Sequence, residues 1–411
     1  MATETHIANE PKAALLARQF VEMYGVAPRI FRAPGRVNLI GEHTDYNEGF
    51  VMPAAIQFDA WVAAAPRPDR QVRLYSQEFK EAVTFDLDAP PPGCKHWSTY
   101  VRGVASVLEA AGHRLLGADM LISGEVPIGS GLSSSAALEV SSGLAFAQLA
   151  GWHIGLQELA HLAQRAEHEF VGTRCGIMDQ FISTHAQAGY ALLLDCRTLE
   201  FELLPLPESA AVVICNTMVK HDLASGEYNV RRAQCEEGVQ LLAKRIPGIR
   251  ALRDVSRAEL ELHKAALSEV TFRRCRHVVS ENERVLQSGD ALKNRQYERF
   301  GALMGESHRS LRDDYEVSSR ELDIMVEIAA AQPGCLGARM TGGGFGGCTV
   351  NVVELAAVSA FRHEVVTQYE QRCAMRPDIY VTQGSAGVEE ITIAAQPSPD
   401  AAKMGPRKEH P

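Results

Sequence analysis

Long apolar runs are missing from this chain of 411 residues, although 46% of its residues are hydrophobic. No stretch approaches the roughly 18 consecutive apolar residues that suggest a membrane-spanning helix. The first residues are polar and lack a basic segment followed by an apolar one, so we expect no signal peptide. The composition therefore predicts no membrane partner, and a core large enough for about two domains.

Cysteine pairs are missing as well, because the nine cysteines, an odd number, are scattered without a CxxC motif. This pattern argues against a disulfide framework and a zinc module, and it favours a reducing cytoplasm. A basic excess is also lacking, since the formal net charge is -10. We therefore expect no nucleic-acid partner. An anionic nucleotide can still bind at glycine-rich loops and helix N-termini of an acidic protein.

Several familiar catalytic motifs are absent. The sequence has no GxxxxGK[ST] P-loop, no HExxH metal site and no GxSxG hydrolase elbow. A formal GxGxxG occurs at Gly342, Gly344 and Gly347, but a predicted strand follows it where a dinucleotide fingerprint requires a helix. The His-Arg-Asp and Asp-Phe-Gly motifs of protein kinases are missing too. The glycine-rich runs therefore need another explanation.

Apolar periodicity and turn residues predict many helices and strands, with a domain boundary near residue 205. Residues 1–205 and 206–395 are the predicted domains, Pro90–Gly93 is a predicted rigid loop, and residues 396–411 are a predicted disordered tail. The predicted helices are Pro11–Tyr24, His96–Ala111, a small-residue run to Gly151, Leu156–Phe170, most of Tyr228–Ala331, and about Ala356–Arg372. The predicted strands are Ile30–Phe31, entering the breaker pair Pro34-Gly35, then Phe58–Ala64, Gln71–Ser76, Ala82–Phe85, Ala118–Ile122, Ala191–Leu194, Ala210–Cys215, Cys335–Met340, Thr349–Val353 and Asp378–Val381.

One serine-rich segment, the serine loop (Gly129–Ser135), lies between a predicted strand and a predicted helix. Such a turn presents backbone N–H groups at a helix N-terminus, where the helix dipole favours an anion. Its serines would add hydroxyl donors or a metal ligand. The alternative is an ordinary capped helix, because serine is a favoured N-cap residue. Residue types alone leave both interpretations open.

A second segment, the glycine loop (Gly342–Gly347), has five glycines in six positions. Glycine allows tight turns and close backbone approach. This density exceeds what an ordinary turn needs, so we expect the backbone to press against a ligand or another loop.

Acidic residues in the middle of the chain have two interpretations each. Asp179, among the apolar residues of Cys175–Phe181, is either a helix-start acid or a catalytic carboxylate; pairing with Arg36 would favour its ionised form. Glu167 lies on a solvated helix face or is a magnesium ligand together with a serine hydroxyl. Tyr228 is either interfacial core or a hydroxyl donor over a ligand.

The signature turn (Gly41–Asn47) has the highest density of polar side chains. Glu42, His43, Asp45 and Tyr46 nearly adjoin one another. Three interpretations are open: a solvated turn, a metal site, or a surface that binds a polyol. The spacing of the group does not match a recognisable zinc site.

These segments together resemble the GHMP kinases and, within that superfamily, the galactokinase family. The resemblance covers nearly the whole chain, from about residue 30 to about 350, and the departures at Glu48 and Ser130 fall on variable positions. The matching segments are Gly35-Arg36-Val37-Asn38-Leu39-Ile40-Gly41-Glu42-His43-Thr44-Asp45-Tyr46, Gly129–Ala137, Cys175–Phe181 and Met340–Cys348.

The resemblance implies an α/β (α+β) fold with a ribosomal-protein-S5-like N-terminal domain, a ferredoxin-like C-terminal domain and the active site in the cleft between them. It implies that Asp179 is the catalytic base and that Arg36 is its partner and stabilises transition-state charge. By the same resemblance, Mg2+ would bind at Ser135 and Glu167. The sugar hydroxyls would bind Glu42, His43, Thr44, Asp45, Gly176, Asp179 and Tyr228. The ATP phosphates would bind Gly129, Ser130, Gly131, Leu132, Ser133, Ser134 and Ser135.

The reaction that the resemblance implies is transfer of the γ-phosphoryl group of ATP to the C1 hydroxyl of galactose, the first committed step of galactose catabolism. Galactose and ATP are thus the expected partners. Two alternatives stay open: a kinase for a related sugar, such as N-acetylgalactosamine or arabinose, and a non-catalytic regulator that binds galactose and ATP. No residue decides the oligomeric state, for which a monomer is the working expectation.

Overall fold

The structure is a computed structural model that describes residues 2–89, 96–219 and 224–393, without the side chains of residues 2–10 and 224–225. The predicted loop at Pro90–Gly93 and the predicted tail from residue 396 lie outside the described residues. Helices and strands mix along the whole described chain, which confirms the predicted α/β class.

Most predicted elements are present, and several strands are longer than predicted. The helices are α1 (Ala2–Tyr24), α2 (Ser98–Ala110), α3 (Ser134–Leu149), α4 (Leu156–Ala166), α5 (Met178–His185), α6 (Ala224–Leu242), α7 (Arg257–Leu262), α8 (Glu269–Lys293), α9 (Tyr297–Ser310), α10 (Arg320–Ala330) and α11 (Val358–Cys373). The strands are β1 (Arg29–Asn38), β2 (Phe50–Val51), β3 (Pro53–Arg67), β4 (Gln71–Ser76), β5 (Glu81–Asp86), β6 (Gly117–Gly124), β7 (Tyr190–Asp195), β8 (Phe201–Pro205), β9 (Ala210–Asn216), β10 (Cys335–Thr341), β11 (Cys348–Glu354), β12 (Asp378–Thr382) and β13 (Glu389–Ile391).

The first sheet has six strands in the order β13-β1-β3-β6-β4-β5. Val104, Val140 and Leu159 of α2, α3 and α4 pack in one core cluster with apolar residues of this sheet. Leu16 and Phe20 of α1 belong to a separate cluster on it. β13 comes from the predicted second domain, yet it pairs antiparallel with β1. The last described strand therefore completes the first sheet, and the boundary near residue 205 stays a prediction.

The second sheet has four antiparallel strands in the order β10-β11-β9-β12. Its strand β9 is buried along its whole length, as expected for a nearly unbroken apolar run inside a sheet. α10 and α11 cover the sheet, the latter through Phe361, Val365 and Tyr369. A third, smaller sheet joins β2, β7 and β8.

The two larger sheets meet where β1 and β10 end. The backbone N–H of Asn38 donates to Thr341 Oγ1 over 2.9 Å, and Arg339 Nη1 donates to the carbonyl oxygen of Asn38 over 3.0 Å. One hydrophobic cluster crosses the junction, since it includes both Val37 and Val350. The signature turn follows β1 and the glycine loop follows β10, so both loops leave the sheets at this junction.

Two boundaries differ from the predicted ones in ways that bear on the site. β1 does not end at Pro34-Gly35 but continues through the pair, with a register shift between Pro34 and Arg36. Glycine is needed at position 35 because the strand passes close to the serine loop there. A Cβ atom on Gly35 would lie only 2.7 Å from the carbonyl oxygen of Leu132. The helix predicted to reach Phe170 is α-helical only to Ala166, after which Glu167–Val171 forms a π-helical turn. Within the described residues, no helix combines the length and apolar character needed to cross a membrane.

Candidate active site

The signature turn is held together by its own polar groups. His43 has a positive φ of 62°, unusual for a residue with a side chain. Thr44 Oγ1 lies 2.8 Å from the carbonyl oxygen of Gly41 and 2.6 Å from that of Phe50. Asn47 Nδ2 donates to the carbonyl oxygen of His43 over 2.9 Å. Thr44 is fully buried, so its hydroxyl group fixes the shape of this turn.

Glu42 connects the signature turn to the glycine loop. Its buried carboxylate accepts hydrogen bonds from Asn38 Nδ2 over 3.0 Å and from the backbone N–H of Gly342 over 2.7 Å. Burial raises the pKa of Glu42, against the opposing effect of Arg339 and Arg36. The carboxylate therefore positions two loops relative to each other.

The imidazole ring of His43 is also engaged inside the protein. Nδ1 lies 2.9 Å from the hydroxyl oxygen of Tyr46, and Nε2 lies 3.2 Å from the carbonyl oxygen of Gly343. Burial, aided by the charge of His277, lowers the pKa of His43 to about 3, so the ring is neutral at physiological pH. Among the described residues, no acceptor pairs with the backbone N–H of His43.

Asp45 differs from its neighbours because its carboxylate is largely unengaged. Its one hydrogen bond to a described group comes from the backbone N–H of Tyr46 over 2.9 Å. Burial and the nearby carboxylate of Asp179 raise the pKa of Asp45 to about 7. Gly176 adjoins it so closely that a Cβ atom at that position would lie 2.0 Å from Asp45 Oδ2. Tyr228 lies beside the same turn, with its ring centre 5.4 Å from that of His43.

Asp179 is the point on which three donors converge. Arg36 binds it in a bidentate pair, from Nε to Oδ1 over 2.8 Å and from Nη2 to Oδ2 over 2.7 Å. Ser133 Oγ donates to Oδ2 as well. The Arg36 side chain is 7% exposed and that of Asp179 is 22% exposed, so the carboxylate stays accessible while its partner is buried. The pairing proposed from sequence between Arg36 and Asp179 is present, and Asp179 lies in the first turn of α5.

The serine loop ends in a helix N-terminus without a side-chain cap. Ser133 is the N-cap residue of α3, with a left-handed φ of 60°, and its hydroxyl group makes no capping hydrogen bond. That hydroxyl donates to Asp179 instead. The first N–H groups of α3 are therefore left to a ligand or solvent, which is the arrangement that binds anions. The capped-helix alternative loses its main support here.

The glycine loop presses against the serine loop. A Cβ atom at Gly342 would lie 2.9 Å from the carbonyl oxygen of Gly131, and one at Gly347 would lie 2.9 Å from that of Ser130. Both glycines have positive φ, near 84°. This confirms the expectation of close backbone approach, and the neighbour is another loop.

An acidic cluster, formed by Glu167 and Glu139, adjoins Ser135 at the end of the serine loop. Ser135 Oγ donates to Glu167 Oε1 over 3.3 Å, and Gln180 Nε2 donates to Glu167 Oε2 over 2.7 Å and to Glu139 Oε2 over 3.1 Å. Burial and Asp179 raise the pKa of Glu167 to about 7. Burial, with Glu167, raises the pKa of Glu139 well above its usual range. A cation would relieve this accumulation of carboxylates.

This cluster fits Mg2+ in its chemistry. A hydroxyl and a carboxylate oxygen stand side by side, and Mg2+ is commonly bound by one or two carboxylates together with water and substrate phosphates. In the part of the chain that the structure describes, no group of three or more His, Cys, Asp or Glu side chains is arranged for a metal. A full protein cage, as for structural zinc, is thus not present among these residues.

Contacts link the four motifs into one region, and they add residues that sequence reasoning missed. Glu139 had a readable signal, because it is the one charged residue in the small-residue helix α3. Gln180 lay inside a quoted motif but received no role. Tyr315, whose hydroxyl group lies 2.7 Å from that of Tyr46, carried no sequence signal at all.

Family models match three parts of the chain. The galactokinase galactose-binding signature matches residues 18–66, the N-terminal domain of GHMP kinases matches residues 99–187, and their C-terminal domain matches residues 290–371. The four segments quoted above lie in or near these matches.

Curated relatives and solved structures agree with these models. The chain is 49% identical to a galactokinase of Roseiflexus sp. (strain RS-1) over 93% of this chain and 98% of the relative. It is 50% identical to a galactokinase of Chloroflexus aggregans over 90% and 95%. The crystal structure of Lactococcus lactis galactokinase complexed with galactose superposes with a TM-score of 0.88 at 37% identity, covering 92% of this chain and 99% of that one. Mevalonate kinase of Methanococcus jannaschii, at 18% identity and a TM-score of 0.60 over 87% and 99%, shares the fold.

Proposed function

The chain belongs to the galactokinase family of GHMP kinases, and from that premise we propose how its residues transfer the γ-phosphoryl group of ATP to the C1 hydroxyl of galactose. The observation that carries the proposal is the convergence of Arg36 and Ser133 on the accessible carboxylate of Asp179. This carboxylate lies between an uncapped helix N-terminus and the carboxyl group of Asp45, which accepts a single described hydrogen bond. A phosphoryl transfer needs such positioning and charge neutralisation more than covalent help.

On the sugar side, Asp179 orients the C1 hydroxyl and accepts its proton. Arg36 and Ser133 fix the carboxylate, so that it loses little freedom when the sugar binds. Arg36 stays positively charged, since Asp179, Glu42 and Asp45 together outweigh the effect of burial and raise its pKa. That charge stabilises the negative charge of the transferring group.

Sugar selectivity comes from the groups that the protein leaves unpaired. Asp45 offers carboxylate oxygens, the backbone N–H of His43 offers a donor, and Tyr228 offers a hydroxyl group beside them. A sugar whose hydroxyls match these groups pairs them, whereas an epimer leaves some of them buried and unpaired. Glu42 and Thr44 act on the sugar mainly by holding the shape of the signature turn.

On the nucleotide side, the serine loop binds the phosphates through the N–H groups at the start of α3. Ser135 and Glu167 would hold Mg2+, which supplies neutralisation of phosphate charge when it is bound. Gln180 donates to both Glu167 and Glu139, and its bond to Glu167 fixes the orientation of that carboxylate. A location in the cytoplasm agrees with the eight described cysteines, all of which are free thiols.

The decisive experiment measures ADP release by the purified full chain with ATP and a panel of sugars. We expect turnover with galactose to exceed that with glucose, arabinose and N-acetylgalactosamine. A preference for arabinose or N-acetylgalactosamine would assign the enzyme to another sugar. Binding of galactose and ATP by calorimetry without ADP release would instead indicate a regulator.

A further inference from the structure

A chain of hydrogen bonds crosses the sugar side of the site. Cys235 Sγ lies 3.1 Å from the hydroxyl oxygen of Tyr315, which lies 2.7 Å from that of Tyr46. The Tyr46 hydroxyl lies 2.9 Å from His43 Nδ1, and His43 Nε2 lies 3.2 Å from the carbonyl oxygen of Gly343. The chain therefore runs from the interior of the second half of the molecule, through the signature turn, to the glycine loop.

The far end of this chain fixes the direction of every bond in it. A carbonyl oxygen only accepts, so His43 Nε2 must carry the proton, and Nδ1 of the neutral ring must accept. Tyr46 then donates its hydroxyl proton to Nδ1 and accepts from Tyr315. Tyr315 in turn donates to Tyr46 and accepts from the thiol of Cys235. One tautomer of His43 satisfies all these groups.

Tyr315 is the second residue of this hydrogen-bond chain, called the relay below, and it is firmly held. It is fully buried, and Arg231 Nε donates to its carbonyl oxygen over 2.9 Å. Arg231 also donates from Nη2 to the carbonyl oxygen of Glu316 over 2.8 Å. Two residues further on, the carbonyl oxygen of Val317 accepts from the backbone N–H of Phe345 in the glycine loop over 2.7 Å. The same short segment thus contacts both loops.

We propose that Tyr315 and Tyr46 are positioning residues that hold His43 in its Nε2-protonated form and thereby lock the signature turn against the glycine loop. The proposal rests on the proposed function, because it assigns the sugar subsite to this turn. The relay acts on galactose through the positions of the His43 backbone N–H and of Asp45. The described partners of the two tyrosine hydroxyls are His43, Cys235 and each other, and they do not include Asp179 or Arg36.

The test removes single hydroxyl groups and measures galactose affinity by calorimetry together with kcat for ADP release. Tyr46→Phe leaves a buried Nδ1 without a donor, so the Kd of galactose should rise about tenfold. Tyr315→Phe removes a more distant bond and should raise it about threefold. The double variant should match Tyr46→Phe alone, because both bonds act through one imidazole. Values of kcat at saturating substrates should stay within about twofold.

The matched control is Tyr297→Phe, which also removes a hydroxyl group from a partly buried tyrosine. Among the described residues, this hydroxyl group has no hydrogen-bond partner. The variant should leave the Kd of galactose unchanged. A lower melting temperature of Tyr315→Phe with an unchanged Kd would show a merely structural role and would overturn the proposal. Additive effects in the double variant would overturn the single relay.

A spectroscopic measurement tests the tautomer independently of turnover. The protein is labelled with 15N-histidine, and the signals of His43 are assigned as those that are missing from the spectrum of the His43→Gln variant. The Nε2 of His43 should show the shift of a protonated nitrogen and its Nδ1 that of an unprotonated one at neutral pH. Protonation on Nδ1, or titration near the ordinary histidine pKa, overturns the proposal even if a tyrosine variant fails to fold. Absence of galactose turnover in the wild type would contradict the proposed function instead, and would leave this spectrum informative.

Discussion

The signature turn and the serine loop solve opposite problems within one site. In the signature turn, Glu42, His43 and Thr44 direct their side chains to protein partners, and Asp45 is the exception. In the serine loop, the N-cap side chain turns away from the helix, and the first N–H groups of α3 are left open. One loop is rigid with few free groups, and the other is an array of free donors.

The difference teaches how each loop recognises its ligand. A neutral sugar is distinguished by the positions of a few hydroxyl groups. Most polar side chains of the signature turn therefore form hydrogen bonds that fix the shape of the turn. A phosphate chain carries dense charge, which backbone N–H groups and a helix dipole attract without a rigid side-chain arrangement. The two loops are held together by backbone contact at the glycine loop and by the carboxylate of Glu42.

The largest expected effect comes from the residue that lies between the two loops. Asp179→Asn should lower kcat at least about 10²-fold, because the amide cannot accept the hydroxyl proton. Galactose affinity, measured by calorimetry, should stay within a few-fold. Near-wild-type turnover would show that Asp179 is not the base.

A matched control for this change is Asp195→Asn. Asp195 is also bound by two nitrogens of one arginine, Arg253, but it lies in β7 outside the four motifs. It should change stability without a comparable loss of kcat. An equal loss in both variants would trace the effect to a broken ion pair.

The next expected effect is a pH dependence of the protein's stability. It arises from the carboxyl group of Asp45 in the signature turn, which accepts a single described hydrogen bond. The pKa of Asp45 is about 7 in the folded protein, whereas an ordinary exposed aspartate has a pKa of 3.8, so the folded state binds the proton more tightly than the unfolded state. Stability is therefore lost as the pH rises from about 4 to about 7. This shift corresponds to about 4 kcal/mol, and the partial exposure of Asp45 reduces the expected effect to about 2 kcal/mol. In denaturant titrations without ligands, the free energy of unfolding of Asp45→Asn should therefore exceed that of the wild type by about 2 kcal/mol at pH 8 and match it near pH 4.

A control of opposite sign is available at Asp254, whose pKa is lowered by a hydrogen bond from Arg197. Asp254→Asn should therefore lose stability at pH 8 relative to the wild type. If both aspartate variants changed in the same direction, the environment assigned to Asp45 would be wrong.

The smallest of the three effects tests whether the serine loop and the signature turn serve different substrates. Gly347→Ala would place a Cβ atom 2.9 Å from the carbonyl oxygen of Ser130, at a φ of 83° that disfavours alanine. The displaced serine loop should raise the KM of ATP about tenfold, with galactose affinity within about twofold. Gly305→Ala in α9, where the nearest neighbour is the end of Arg309 at 3.7 Å, is the control. Equal changes for both substrates would contradict separate roles for the loops.

Much of the fold was predictable because its signals are local. The buried run of β9 and the glycines and serines that precede α3 can be read within a few residues. The continuation of β1 through Pro34-Gly35 was not predictable, because it depends on contact with Leu132 in another loop. The pairing of β1 with β13 depends on register between distant parts of the chain, which no local pattern encodes.

The candidate site shows the same division. Arg36, Asp179, the serine loop and the signature turn were identified from residue types and from resemblance. The roles within the turn were less visible, since the engagement of Glu42 with Gly342 and of His43 with Gly343 exists only after the two sheets meet. Tyr315 was missed because its charged neighbours in sequence, Arg312-Asp313-Asp314 and Glu316, do not reveal a hydroxyl partner in space.

The sequence by itself determined which chemical groups are present: carboxylates, a guanidinium group, hydroxyls and glycine-rich backbone at positions that a kinase for a small polyol needs. The tertiary structure decided which of those groups are consumed by the protein and which stay free for ligands. The physical reason is that a buried polar group must find a partner, and the choice of partner depends on which atoms folding brings within about 3 Å. Asp45 and the start of α3 are left open by that selection, whereas Glu42, His43 and Thr44 are not.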